Sequence, residues 1–244
     1  MRYRWLKGGA ILIVFFAVDW IASDIPYISA YKNGMINLKE LVINWSNDSS
    51  GYQSLLEYGL IYMIPYILFL NATARYSTVV SMLRRNGRRD LLKEDFKSIA
   101  ISAAVFCLLH ESIACFMTCI FIPEDILFEI RWFRFEMVHL FSLILFYMNT
   151  GVLYRILSMF SGAVKGIGLL FGLCAAEFYV TTVMSSGWQP YCDVVLLYRL
   201  LINEITCPDV LLAIFRQAVF MFILLIAEDA VFSGKDILEF EIFT

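Results

Sequence analysis

Charged residues are scarce in this sequence, and basic residues do not outnumber acidic ones. Only 17% of the 244 residues are Asp, Glu, Lys or Arg, and the formal net charge is −3. Soluble domains average about 25% charged residues, and nucleic-acid-binding domains concentrate enough Lys and Arg to be strongly basic. The composition therefore excludes a strongly basic nucleic-acid-binding protein and disfavours an ordinary soluble domain.

Common catalytic motifs are also missing. The sequence contains no GxxxxGK[ST] phosphate-binding loop, no GxSxG nucleophile motif and no HExxH zinc motif. Only two histidines occur, His110 and His139, and Ala114 stands where a zinc motif starting at His110 would need its second histidine. We therefore expect no catalytic residue, no metal site and no cofactor bound directly by this chain.

Apolar residues, by contrast, are abundant. Hydrophobic residues make up 60% of the chain and aromatic residues 16%, whereas globular domains average about 45–50% apolar residues. Because a single soluble core stops growing near about 250 residues, the surplus is expected to face lipid. A helix of ~20 apolar residues crosses a bilayer, and six segments qualify: about 7–23, 54–74, 98–122, 132–157, 166–185 and 210–232.

The sequence thus predicts an all-α integral membrane protein, with residues 1–244 forming one transmembrane domain. If the N-terminus is inside, 13 of the 19 basic residues lie on the inner side and 5 on the outer side, and Arg216 lies within the sixth span. Since Lys and Arg collect on the cytoplasmic side, both termini are predicted to be cytoplasmic. Pro65 is expected to kink the second span.

The predicted cytoplasmic loop between the second and third spans is rich in positive charge. Seven of its 23 residues (75–97) are basic, and three apolar residues follow at helical spacing. One interpretation is a topology signal beside anionic lipid headgroups. The other is a docking element for a cytoplasmic partner, formed by Arg75, Arg84, Arg85, Arg88, Arg89, Leu91, Leu92 and Phe96.

The predicted outer loop between the last two spans (about 186–209) is less polar than a simple connection. Its apolar stretch, residues 194–202, is too short to span a bilayer and is typical of a re-entrant or interfacial helix. The same loop holds Cys192 and Cys207. They either form a disulfide that closes the loop in an oxidising compartment or remain free thiols.

Ionisable residues inside the spans are the main candidates for function, because each is costly to bury without a partner. Glu111, His139, Glu177 and Arg216 come from four spans and are predicted to share one layer of the membrane. Arg216 needs an anion, for which Glu177 is the first choice and Glu111 the second. The layer is interpreted either as an inter-helix clamp or as the lining of a substrate path.

Glu136 and His139 lie three residues apart, on one face of a helix. A Glu-x-x-His pair of this kind recurs in di-metal carboxylate bundles. Only one copy is present, which weakens the case for a metal.

The layout as a whole resembles the permease subunit of a type-2 ATP-binding-cassette exporter. Its six predicted spans, cytoplasmic termini and helical 2–3 loop match that family, and the stretch Arg75-Tyr76…Arg84-Arg85-Asn86-Gly87-Arg88-Arg89 is similar to that of small bacterial permeases for peptide or antimicrobial-peptide export. The resemblance implies a bacterial plasma-membrane protein that exports peptides or other amphipathic substrates. Its partners would be a cytoplasmic ATPase carrying the ATP and Mg, a second copy or sister permease, and membrane lipids.

Two other functions remain open. The first is an intramembrane enzyme, such as a peptide-processing protease, that uses Glu111, His110 and His139. The second is an accessory membrane subunit that transports nothing.

Overall fold

The described part of the chain is a bundle of α-helices. The computed structural model describes residues 2–38, 40, 41, 44, 51–73, 88–180, 190, 192–200 and 205–234, and within these residues no strand occurs. The helices are α1 (Arg2–Lys32), α2 (Met63–Thr73), α3 (Arg88–Phe121), α4 (Glu124–Glu129), α5 (Trp132–Ser161), α6 (Ala163–Tyr179), α7 (Cys192–Leu196) and α8 (Cys207–Gly234). A π-helical turn, Glu57–Ile61, precedes α2, and a 3₁₀ turn, Leu197–Leu200, follows α7.

Four of these helices are long and apolar enough to cross a membrane: α1, α3, α5 and α8. Their outward faces carry large apolar side chains. Ile11 on α1 is 69% exposed and Phe222 on α8 is 64% exposed, and similar residues repeat along both helices. A soluble monomer rarely exposes apolar surface on this scale, so these faces are suited to lipid.

Helix α5 is the centre of the bundle. It packs against α2, α3, α6 and α8, and most of its residues are buried. The close approach of α2 and α3 to α5 depends on Gly151, where a Cβ atom would lie 2.7 Å from Ile99 Cγ2 and 2.7 Å from the Tyr66 hydroxyl oxygen. At the C-terminal end of α5, Gly162 takes a left-handed φ of 81° and lets α6 fold back along α5.

The hydrophobic runs predicted the helices more reliably than their ends. Helix α5 starts at Trp132 as predicted, whereas α1 runs from Arg2 to Lys32 and exceeds the predicted 7–23 at both ends. The predicted second and fifth spans correspond to the π-helical turn with α2 and to α6. The irregular π-helical turn ends four residues before Pro65, which removes one backbone donor from the helix.

Candidate functional site

Two carboxylates and an imidazole meet inside the bundle, between α3 and α5. Glu111 comes from α3, and Glu136 and His139 come from α5; each offers an oxygen or nitrogen atom within 4.8 Å of those of the other two. Glu111 Oε1 lies 3.1 Å from His139 Nδ1. All three residues are buried, with His139 fully inaccessible to solvent. We call Glu111, Glu136 and His139 the acid–histidine cluster.

The sequence places these groups together by helix geometry and packing. Glu136 and His139, three residues apart, project from the same side of α5, and α3 packs directly against that helix. His139 lies about 10 Å from the start of α5 at 1.5 Å per residue. His110, next to Glu111, adds a second imidazole whose Nδ1 lies 3.2 Å from Glu111 Oε1.

Residues 51–54, which precede the π-helical turn, fold into the bundle and cover His110. All four are buried. The Tyr52 ring stacks on the His110 imidazole with centroids 4.4 Å apart and planes 4° from parallel. The Tyr52 backbone N–H donates to Asp24 Oδ1 at 3.0 Å, and its hydroxyl donates to the His110 carbonyl oxygen at 3.2 Å. Residues 51–53, predicted to lie in the outer loop between the first two spans, therefore form part of the core.

The polar contacts continue from Tyr52 to α1. The Tyr62 hydroxyl lies 2.5 Å from a carboxylate oxygen of Asp19 and 2.9 Å from the Tyr52 carbonyl oxygen. Asp24 thus has its partner on the segment that covers His110, and Asp19 has its partner at Tyr62, just after the π-helical turn. Together these contacts join α1, residues 51–62, α3 and α5 through one buried polar network.

The acid–histidine cluster has more polar atoms than hydrogen bonds. Among the described residues, Glu111 Oε2 and both carboxylate oxygens of Glu136 are buried without a hydrogen bond of normal geometry, and so is Nε2 of the adjacent His110. The side chain of Gln53 lies against Glu136. Two facing carboxylates repel each other when both are charged, so the cluster requires a proton or a cation to be stable in an apolar bundle.

Arg216 forms its ion pair with Asp193 of α7, rather than with the predicted Glu177 or Glu111. Asp193 is only 1% exposed, whereas the Arg216 side chain is 34% exposed. The sequence analysis missed Asp193 because it placed that residue in an outer loop, where a carboxylate needs no explanation. Of the residues predicted to share a layer, Glu111 and His139 contact each other, while Glu177 lies on α6.

The apolar stretch after Asp193 behaves as a short inserted segment. Val194 and Leu197 are fully buried, and α7 contacts both α5 and α8. A second link comes from Gln217, whose side-chain amide donates to the Pro190 carbonyl oxygen at 3.0 Å. Cys192 and Cys207 are not bonded to each other in this structure.

The predicted partner-docking residues divide into two groups. Arg75, Arg84 and Arg85 lie outside the described residues, and Arg88 and Arg89 open α3. Leu91 is instead buried against Met159 and Phe232, with Leu92 packed beside them, and Phe96 packs on the main core. The apolar residues predicted to dock on a partner thus make contacts within this chain, because the start of α3 packs against the ends of α5 and α8.

An ion pair strengthens that attachment of α3. Arg155 on α5 donates to Asp95 on α3 at 2.6 Å, and each side chain is 17% exposed. Glu228 of α8 lies close enough to interact electrostatically with both. The start of α3 is therefore attached to α5 and α8 by apolar packing and by charge.

A cavity of about 430 Å³ opens at the other end of α5, between that helix, the 3₁₀ turn and α8. Arg131, Arg134 and Glu129 supply its charged groups, and Phe135 and Val138 part of its apolar lining. The Phe135 ring also stacks on the His139 imidazole, with centroids 5.3 Å apart. One aromatic side chain thus borders both the cavity and the acid–histidine cluster.

Sequence reasoning singled out Glu111, His139 and the Glu136–His139 pair, but it did not bring the three residues together. Motif spacing detects ligands on one helix, whereas this cluster draws its third member from α3. Comparison with protein-family models, curated proteins and solved structures finds no match to this chain.

Proposed function

We propose that the chain is a permease subunit of an ATP-driven membrane exporter, powered by a separate cytoplasmic ATPase. The observation that carries the proposal is the attachment of the start of α3 to the ends of α5 and α8. Helix α3 begins within the last residues of the basic segment 75–89. The substrate class that fits an apolar bundle with a charged outer cavity is an amphipathic peptide or a similar molecule.

Helix α3 has the length that this role requires. Its 34 residues extend for about 51 Å at 1.5 Å per residue, whereas the hydrocarbon core is about 30 Å thick. About 20 Å of helix is thus left to project into the cytoplasm. A partner that displaces the segment before α3 would move the Asp95–Arg155 pair, and with it the central helix α5.

The proposed arrangement has six spans and both termini in the cytoplasm. Helices α1, α3, α5 and α8 supply four spans, and α2 with its π-helical turn and α6 supply the other two. The excess of basic residues on one side supports this orientation. The inserted segment Cys192–Leu200 then enters from the outside, where Asp193 holds Arg216.

Charge reversal on the basic segment tests the proposal. A tagged chain is purified in mild detergent from its own membranes, and the nucleotide-hydrolysing subunit that accompanies it is quantified by mass spectrometry. We expect a stoichiometric ATPase with the wild type and less than a tenth of it after replacing four arginines with glutamate: Arg84, Arg85, Arg88 and Arg89.

The matched control reverses the same kind of charge at the other end of the bundle. Arg131→Glu with Arg134→Glu changes two outer arginines, and ATPase recovery should stay at the wild-type level. If no ATPase accompanies the wild-type chain, or if the four-site variant keeps it, the chain is not a permease that docks through this segment.

The acid–histidine cluster favours a second candidate function, an intramembrane enzyme. His110 Nδ1 and His139 Nδ1 each lie within hydrogen-bonding distance of Glu111 Oε1, and carboxylate and imidazole groups held in this way can act as general acids and bases. The test is cleavage of membrane-embedded peptides by the purified chain. Loss of cleavage in Glu111→Gln, with folding retained, would support this function, and an inactive wild type would exclude it for the peptides assayed.

A further inference from the structure

We propose that the acid–histidine cluster binds a divalent transition-metal cation of the zinc type, with Glu111, Glu136 and His139 as its protein ligands. This site is independent of the transport function. The sequence alone predicts no metal, because it contains no zinc motif and only one Glu-x-x-His pair. The structure differs by supplying a third ligand from a neighbouring helix.

The donor set suits such a cation. Two carboxylate oxygens and one imidazole nitrogen are common Zn²⁺ ligands, and three protein ligands leave a fourth position open for water or substrate. Ligand atoms about 2.0–2.2 Å from a tetrahedral ion stand roughly 3.4 Å apart. The Glu111 Oε1 to His139 Nδ1 distance of 3.1 Å is already near this value, and all three ligand atoms lie within 4.8 Å.

The buried carboxylates supply an independent reason for a ligand. Only 7% of the surface of Glu136 is exposed. Its polar neighbours are Gln53 and the Glu111 carboxylate, but among the described residues neither of its oxygens makes a hydrogen bond of normal geometry. Oε2 of Glu111 is in the same situation. A dication neutralises two carboxylates at once and satisfies oxygen atoms that would otherwise be costly to bury.

Aromatic side chains enclose the cluster and limit its contact with water. Phe135 stacks on His139, and the Tyr58 ring lies 5.6 Å from the same imidazole. The outer cavity reaches Phe135, so rotation of this ring would give a cation access from outside.

Cobalt provides a direct probe, because Co²⁺ replaces Zn²⁺ in such sites and its visible absorption reports the coordination geometry. The full chain is purified in detergent, stripped with a chelator, dialysed and titrated with Co²⁺, and then with Zn²⁺ in competition. We expect one Co²⁺ per chain with a tetrahedral-type visible spectrum, which Zn²⁺ displaces stoichiometrically.

Ligand variants assign the site. Glu136→Gln and His139→Gln should each weaken Co²⁺ binding by more than the 10–100-fold that is typical of losing an outer partner. Glu177→Gln, which alters a carboxylate on α6, is the matched control and should leave the affinity unchanged. Size-exclusion profiles establish that each variant is folded, and the wild-type spectrum stands as evidence even if a variant does not fold.

Two results would overturn the proposal. The first is a folded wild-type chain that takes up neither Co²⁺ nor Zn²⁺, which would mean that protons alone balance the two carboxylates. The second is stoichiometric binding that both ligand variants retain, which would place the metal elsewhere.

Discussion

The Asp193–Arg216 pair gives an asymmetric prediction, because its two members are buried to different extents. Arg216→Leu leaves the carboxylate of Asp193, which is 1% exposed, without its cation. Removing one member of a buried pair costs about 3–5 kcal/mol, and we expect that loss here. Asp193→Leu leaves an arginine that is 34% exposed and keeps part of its hydration, so the loss should be smaller, about 1–3 kcal/mol.

The double replacement completes the cycle. With both charges replaced, neither is left behind without the other, and the free energy of unfolding should recover to within about 1–2 kcal/mol of the wild type. The two single losses sum to about 4–8 kcal/mol, and subtracting the loss in the double variant gives a coupling energy of about 2–7 kcal/mol. Reversible unfolding in mixed micelles, followed by tryptophan fluorescence, measures all four proteins.

Arg199→Leu is the control, because Arg199 is an exposed cation on the adjacent 3₁₀ turn. It should shift the free energy of unfolding by less than about 0.5 kcal/mol. Equal losses for the two single variants, or a double variant as unstable as Arg216→Leu, would refute the argument from unequal burial.

The remaining predictions concern packing and topology. Gly151→Ala should destabilise the bundle by about 1–3 kcal/mol, because its new methyl group would overlap neighbours 2.7 Å away. Adding Tyr66→Phe, which removes one of the two contacting atoms, should restore part of that loss in the same unfolding assay. An unchanged free energy of unfolding in Gly151→Ala would contradict the packing. A reporter fused after Lys97 should be cytoplasmic and one at Asn47 external, and the opposite result would reverse the orientation. A membrane-impermeant maleimide added outside whole cells should label Cys207, an exposed free thiol; protection from it would contradict the placement of α8.

The hydrophobic runs allowed the helices to be predicted, because a span of about 20 apolar residues is a local property of the sequence. The end of α1 could not be predicted in this way. Asp19 and Asp24 interrupt the apolar run and suggest a helix that stops early, but both carboxylates have distant partners in Tyr62 and Tyr52. Only the folded chain shows that these acidic residues are satisfied within a continuing helix.

The candidate site could be predicted in part for the same reason. The pair Glu136 and His139 is visible in one helix, and burial made Glu111 a candidate. Which residues meet across helices depends on rotation and packing, which hydropathy does not fix. The partner of Arg216 was missed because Asp193 lies in a segment too short to span the bilayer, and such a segment was not searched for buried charges.

For the predicted docking residues, the sequence suggested a partner surface where the structure has contacts within the chain. Leu91, Leu92 and Phe96 have the spacing of an apolar helix face, and the sequence cannot say which surface covers it. The structure places Leu91 against Met159 and Phe232 of the same chain. In the proposed function, the surface that a partner would bind therefore consists of the basic residues that precede and open α3.

ATP-driven movement of substrate tests the proposed transport function most directly. Inside-out membrane vesicles that contain the chain and its ATPase are supplied with a fluorescent amphipathic peptide, with or without ATP. We expect ATP-dependent accumulation of the peptide inside the vesicles, lost when the four basic residues before and at the start of α3 are reversed in charge. Accumulation that is equal in vesicles lacking the chain, or that needs no ATP, would contradict the account.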